Sequence, residues 1–125
     1  MIPQDLKYTK EHEWIRVEGD TGTIGITDYA QHELGDIVFV ELPQVGAKVE
    51  FMKAFGTIEA VKAVSDIFSP LTGEIVDVNT ALETNASAIN TDPYGQGWII
   101  KVKMTNPSEL NNLLDAAAYG KLIGQ

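Results

Sequence analysis

The chain contains no cysteine. It therefore has no disulfide framework, no thiolate nucleophile and no cysteine metal site. Arginine is nearly absent as well: Arg16 stands alone, and 18 acidic against 9 basic residues give a net charge of −9. Phosphate backbones and anionic membrane surfaces would repel such a chain, which argues against nucleic acid or membrane as partner. An acidic surface of this kind is usually a solubility device, and the sharper reading is steering towards basic grooves on other proteins. Only two histidines occur, His12 and His32. His12 lies in Glu11-His12-Glu13, but no further histidine is near to complete a metal site, and a mixed acidic run reads as solvated. No G-x-S-x-G elbow or phosphate-binding glycine loop is present, so catalysis in its own right is not expected. No apolar run approaches the roughly 20 residues of a membrane helix. Met1-Ile2-Pro3-Gln4-Asp5 lacks the basic and apolar regions of a signal peptide, so a soluble, cytoplasmic protein is expected.

What is present fits one domain spanning residues 1–125, with an ordinary apolar fraction of 44% and a conventional core. Trp14 to Glu18 alternates as a strand, and Gly19-Asp20-Thr21-Gly22 turns it back into Thr23-Ile24-Gly25-Ile26. Thr27 is placed to cap a short helix over Asp28 to Leu34, with Gly35 as its stop. Ile37 to Leu42 is apolar on both faces except at Glu41, which predicts a central strand. Gly73-Glu74-Ile75-Val76-Asp77-Val78 repeats the pattern of Gly35-Asp36-Ile37-Val38-Phe39-Val40 at an offset of 38, pointing to two similar half-domains. Asn90 to Gly97 is dense in turn formers and reads as a loop. Trp98, Ile100, Val102 and Met104 then alternate as a half-buried strand. A helical segment is expected over about 107–122, capped by Asn106 with Pro107 first, Glu109 in a capping box and Leu110, Leu113 and Leu114 as its buried stripe. The sum is a mainly β protein, an antiparallel sandwich or flattened barrel with a few short peripheral helices.

One stretch breaks a local rule. Phe55 to Val61 and Val64 to Phe68 read as paired strands, with their reversal near Val61-Lys62-Ala63. A tight reversal normally carries Gly, Asn, Asp or Pro, and none stands between Gly56 and Asp66. Local rules tend to break where function overrides them. The residue at this apex is Lys62, with Glu59 three positions before it and Asp66 four after.

These residues carry a likeness. The chain resembles the H proteins of the glycine cleavage system, a family of lipoyl carriers, over nearly its whole length. The matching segments are Lys7-Tyr8-Thr9 with His12-Glu13-Trp14, Ile24 to Gln31, Leu34 to Pro43, Glu59 to Asp66, Asn90 to Gly95 and Gly97-Trp98. The lysine motif alone is shared by biotinyl and lipoyl domains; its combination with Thr27 to Gln31 and Asp92 to Trp98 is specific. The resemblance implies a fold of the lipoyl-biotinyl carrier type and lipoate attached covalently to Lys62. It also implies Glu59 and Asp66 as flanking recognition or arm-cleft residues, with Glu13 a further carboxylate for a cationic cargo. The implied partners are a pyridoxal-phosphate glycine decarboxylase, a folate-dependent aminomethyltransferase, dihydrolipoamide dehydrogenase and the lipoate-attaching enzymes, visited by a monomer. Trp14, Trp98, Tyr94 and Phe55 read as packing. There are three departures from the family pattern: Ala60 stands where Ser is usual, Met52 where Gly is usual, and Ala86-Ser87-Ala88 where Pro-Glu-Leu is usual. The alternatives are a lipoyl or octanoyl relay for other lipoate-dependent complexes, and a sandwich interaction module whose Lys62 is never modified.

Overall fold

The computed structural model describes residues 2–125. Nine strands and three α-helices alternate along it: β1 Lys7–Tyr8, β2 Glu13–Glu18, β3 Thr21–Ile26, α1 Asp28–Leu34, β4 Ile37–Glu41, β5 Lys48–Val49, β6 Ala54–Ala60, β7 Val64–Phe68, β8 Gly73–Val78, α2 Ala88–Thr91, β9 Ile100–Met104 and α3 Ala116–Leu122. Short 3-10 turns cover Thr80–Glu83 and Pro107–Asn112. The strands form a six-stranded sheet in the order β1-β2-β3-β9-β8-β5 and a three-stranded sheet in the order β4-β6-β7, with every pairing antiparallel. Ile15, Ile24, Ile75 and Val102 from the large sheet and Val40, Ile58 and Ile67 from the small one meet in a common apolar core, as the period-2 patterning requires. No helix among the described residues is long and apolar enough to cross a membrane.

Three sequence expectations are corrected. Ile37 to Glu41 is an edge strand, not a central one, for β4 pairs only with β6. A bulge between Ile37 and Phe39 breaks the alternation, leaving Val38 61% and Phe39 47% exposed while Ile37 and Val40 are buried. The C-terminal segment is not one helix. Leu114 instead exchanges two backbone hydrogen bonds of 2.8 Å with Tyr8, a pairing that forces extended backbone between the 3-10 turn and α3. Asn106 makes no side-chain cap, and α3 is capped instead by Asp115, which accepts from Ala118 N. Glu109 does not reach back along its own turn; both its oxygens accept from Thr72, one from the N–H and one from the hydroxyl, each at 2.7 Å. Third, Asn90 and Thr91 belong to α2 and not to the loop that follows.

The repeat at offset 38 survives in three dimensions. Ile75 and Val78 of β8 are buried like Ile37 and Val40, with Val76 and Asp77 exposed between them, and β8 carries its own register shift between Ile75 and Asp77. The two segments lie in different sheets.

Met52 explains one departure from the family pattern. Lys53 N–H bonds to Glu50 O at 3.0 Å and Met52 has φ of 57°, the left-handed third position of a type II turn that favours glycine. Replacing Met52 by Gly should relieve the left-handed backbone and raise stability by about 1 kcal/mol net of the added chain entropy. Denaturant unfolding at constant m-value measures this; an unchanged or lower midpoint would show that the Met52 side chain outweighs the turn.

Candidate functional site

The register of β6 and β7 runs Thr57 opposite Asp66, Ile58 opposite Ser65 and Glu59 opposite Val64. Ala60 N–H bonds to Ala63 O at 2.7 Å, so the reversal consists of Val61 and Lys62. Neither has positive φ; among the described non-glycine residues only His12 and Met52 do. The primed turns that usually close a two-residue hairpin are therefore not used. What stabilises the reversal is an outside contact: Val61 N–H donates to Asp36 O at 3.0 Å. The Gly35-Asp36-Ile37 turn that offers this carbonyl is itself fixed by Asn90. The Asn90 amide donates to Gly35 O and Gln31 Oε1 and accepts from Ile37 N, all at 2.9 Å. Gly35, with φ of 81°, also leaves room for the lysine stem, since a Cβ there would stand 3.1 Å from Lys62 Cε. Lys62 is exposed, as are Val61 (75%) and Val64 (66%) on either side.

Below the tip, between α1 and the hairpin, lies a cleft of about 300 Å³. Ile26, Ala30, Leu34 and Ile58 give it an apolar wall, and Glu11, Glu13, Glu33 and Asp66 supply carboxylates, with no Lys or Arg among its lining residues. A neighbouring cavity of about 240 Å³ shares Tyr29 and Glu33 but touches no hairpin residue. Glu13 is the buried member of the cleft, 1% exposed, which corrects the solvated reading of Glu11-His12-Glu13. Thr9 Oγ1 donates to Glu13 Oε1 at 2.5 Å and Phe68 N to Oε2 at 3.3 Å. Burial outweighs these bonds and pushes its carboxyl up to about 8, so it is largely protonated at neutral pH.

His12 sits beside it with φ of 72°. Its Nδ1 is 2.9 Å from Tyr119 Oη, which in turn lies 2.7 Å from Thr27 Oγ1, the cap of α1. Burial lowers the His12 pKa, consistent with a neutral ring packed on Tyr29 at a centroid distance of 4.9 Å. Tyr119 thus ties α3 to His12, which lines the cleft, and to the cap of α1.

The structure gathers Glu13 and Asp66 in the cleft and sets Lys62 above it. Glu59 does not join them; it faces outward from β6, beside Val64 and Phe39. Trp14 and Tyr94 are packing residues: Trp14 Nε1 donates to Pro93 O at 3.0 Å, Arg16 lies over its ring at 5.1 Å, and Arg16 also donates to Tyr94 O. Asn90, His12 and Tyr119 carry no chemical motif that marks them for these roles, and only the fold reveals them. The Thr27 cap was the one signal in the chain for the third corner of the network.

Comparison with known proteins agrees with this geometry. The sequence model described as glycine cleavage H-protein matches residues 6–125. The chain belongs to that family. It is 59% identical to the glycine cleavage system H protein of Symbiobacterium thermophilum over 94% of this chain and 92% of that one. It is also 59% identical to the H protein of Bacteroides thetaiotaomicron, over 98% and 97% of the two chains. The crystal structure of the H protein from Mycobacterium marinum superposes with a TM-score of 0.92 at 42% identity, covering 99% of this chain and all of that one. The protein is accordingly a non-catalytic lipoyl carrier of the glycine cleavage system, and its sandwich is the H-protein fold.

Glu13 binds a proton in the folded state between its unfolded value near 4.5 and its folded value of about 8. Stability contributed by that proton is therefore lost as pH rises through this window. Between pH 5 and pH 9 the wild type should lose on the order of 2 kcal/mol more than Glu13→Gln in denaturant unfolding; parallel pH profiles would place the Glu13 carboxyl in the ordinary range. For the tip, Asn90→Ala should speed hydrogen exchange at the Val61 amide by about tenfold or more, because each 1.4 kcal/mol of lost latch is a factor of ten. Protection equal to wild type in a folded variant would show that the hairpin closes unaided.

Proposed function

We propose that Lys62 is the residue that bears lipoate, in amide linkage to its ε-nitrogen. The observation that carries this is the placement of one exposed amine at a latched hairpin tip above a cleft with an apolar wall and four carboxylates. The side chains fit the group: Ala30, Leu34 and Ile58 offer an apolar bed for a thia-alkyl chain, and the exposed amine is open to acylation. Attachment consumes the amine, its nitrogen taking the carbonyl of an activated lipoate while the leaving group departs and a proton is released. Lipoate so bound supplies a dithiolane that opens on reduction and can bear a one-carbon unit.

The remaining roles belong to the protein's own carboxylates. Asp66 at the cleft edge and Glu13 in its depth hold a cationic amine cargo away from water. Glu13, neutral while the cleft is free of cation, releases its proton when a positive charge enters. The carrier then serves, in turn, a pyridoxal-phosphate decarboxylase, a folate-dependent aminomethyltransferase and a flavin dihydrolipoamide dehydrogenase, working as a monomer whose tip must enter each partner.

Intact mass of the protein purified from cells with lipoate-attaching activity should show a single lipoyl adduct, absent from Lys62→Ala; an adduct that persists in that variant would move the attachment elsewhere. With lipoylated protein charged with the amine cargo, Asp66→Ala should shorten the lifetime of the charged form by about tenfold, the value of a charge-assisted hydrogen bond partly exposed to water. An unchanged lifetime would remove Asp66 from the cleft's function.

A further inference from the structure

Nine basic residues less Arg16 leave eight lysines, and seven of them are exposed. Exposure alone therefore cannot direct an acylating enzyme to Lys62. Something in the surroundings must.

Residues directly opposite each other across an antiparallel pair share a face. Phe39 pairs with Glu59 and Glu59 with Val64; Glu41 pairs with Thr57 and Thr57 with Asp66. These two rows lie on the outer face of β4-β6-β7, since Val40, Ile58 and Ile67 point into the core. The first row is the last full one before the reversal. It sets an exposed Phe39 (47%) and Val64 (66%) on either side of Glu59. The second row sets Glu41 and Asp66 on either side of Thr57. Beside Phe39 and Glu41 a shallow groove of about 330 Å³ continues the face, with Leu42 in it and Glu83 as a further carboxylate. The three strands contain no Lys, Arg or His at all.

An exposed Phe on an edge strand is an unusual use of a large apolar side chain in a protein whose core is otherwise well filled. Two exposed apolar side chains flanking one carboxylate, with further charge of the same sign in the next row, combine apolar contact with charge recognition on one face. We propose that this outer face is the docking surface by which the lysine-acylating enzyme selects Lys62, the occupant being a basic groove with an apolar slot for Phe39 and Val64. The charge decides the chemistry of the occupant: Glu41, Glu59 and Glu83 attract a cationic surface and repel an acidic one. The stage of the cycle decides which enzyme. An acylating enzyme meets the lysine with no arm yet attached, so it must recognise the polypeptide. This inference rests on Lys62 being the attachment residue.

The test uses full-length unmodified protein, lipoate, ATP and a purified ATP-dependent lipoate–protein ligase, with acylation followed by intact mass. The double variant Phe39→Ser, Val64→Ser should lower kcat/KM by about tenfold or more, carried by KM, as the loss of a small hot-spot pair does. Glu41→Lys should lower it through association, and should flatten the fall in rate that the wild type shows with added salt. Val76→Ser, an exposed apolar position on the other sheet, should leave the rate unchanged. Melting curves establish that each variant is folded, and Glu41→Lys alone suffices should the double variant unfold. Rates within about twofold of wild type for both face variants would overturn the proposal. So would normal acylation combined with a defect only when the lipoylated variants meet the decarboxylase, which would give the face to a later partner. Failure of wild-type protein to be acylated at Lys62 is a separate result and would count against the attachment site itself.

Discussion

The site depends on one backbone hydrogen bond made outside the hairpin it serves. A two-residue reversal without a left-handed residue is poorly closed by its own geometry, and here one bond between Ala60 and Ala63 is all the closing pair contributes. The Val61 N–H reaches instead to Asp36 O, on a turn that Asn90 fixes through two further bonds while a third anchors Asn90 to Gln31. Glycine at the apex would have made an easier turn and a looser one. The chain uses a side chain at that position for display and transfers the conformational burden to a neighbouring loop. The cap of α1 by Thr27, its stop at Gly35, and the packing of α2 all serve the same few backbone atoms.

Beneath the tip, electrostatics are arranged for a charge that is not yet there. Four carboxylates border one cleft without a Lys or Arg among them, and the deepest, Glu13, is held neutral by burial. Leaving it charged in that position would cost several kcal/mol; leaving it out would deprive an arriving cation of its partner. A neutral acid that ionises on demand meets both conditions, with Thr9 and Phe68 already donating to the oxygens that will bear the charge.

Much of this was legible in the chain. The hairpin, its lysine and its missing turn residues could be read because β periodicity and turn chemistry are local. The Thr27 cap and the Gly35 stop were legible for the same reason; proximity to Lys62 brought Asp66 into view, and the cationic cargo that the likeness implies brought in Glu13 as a further carboxylate. The edge position of β4 was not, because a bulge cancels the alternation on which burial is judged. Nor was the split of the C-terminal segment: Leu114 leaves a helical pattern to pair with Tyr8, more than a hundred residues earlier, and no local signal records that pairing. Asn90, in a run of turn formers, looked like one more of them. Its three contacts reach residues more than fifty positions away.

Sequence distance also orders the assembly of the parts. The hairpin closes between residues a few positions apart, and its latch to Asp36 spans a loop of modest length. The bond of His12 to Tyr119 joins positions 107 apart, at a far greater entropic cost of closure. A chain emerging from the ribosome thus holds every strand of the small sheet and the whole lining of the cleft by residue 68, yet must extend past residue 90 before Asn90 can fix the turn that latches the tip, and past residue 119 before Tyr119 can tie α3 to His12 and Thr27. Placement and fixation are separate achievements in time: tip and cleft are laid down early in the chain, and the residues that hold them still arrive late.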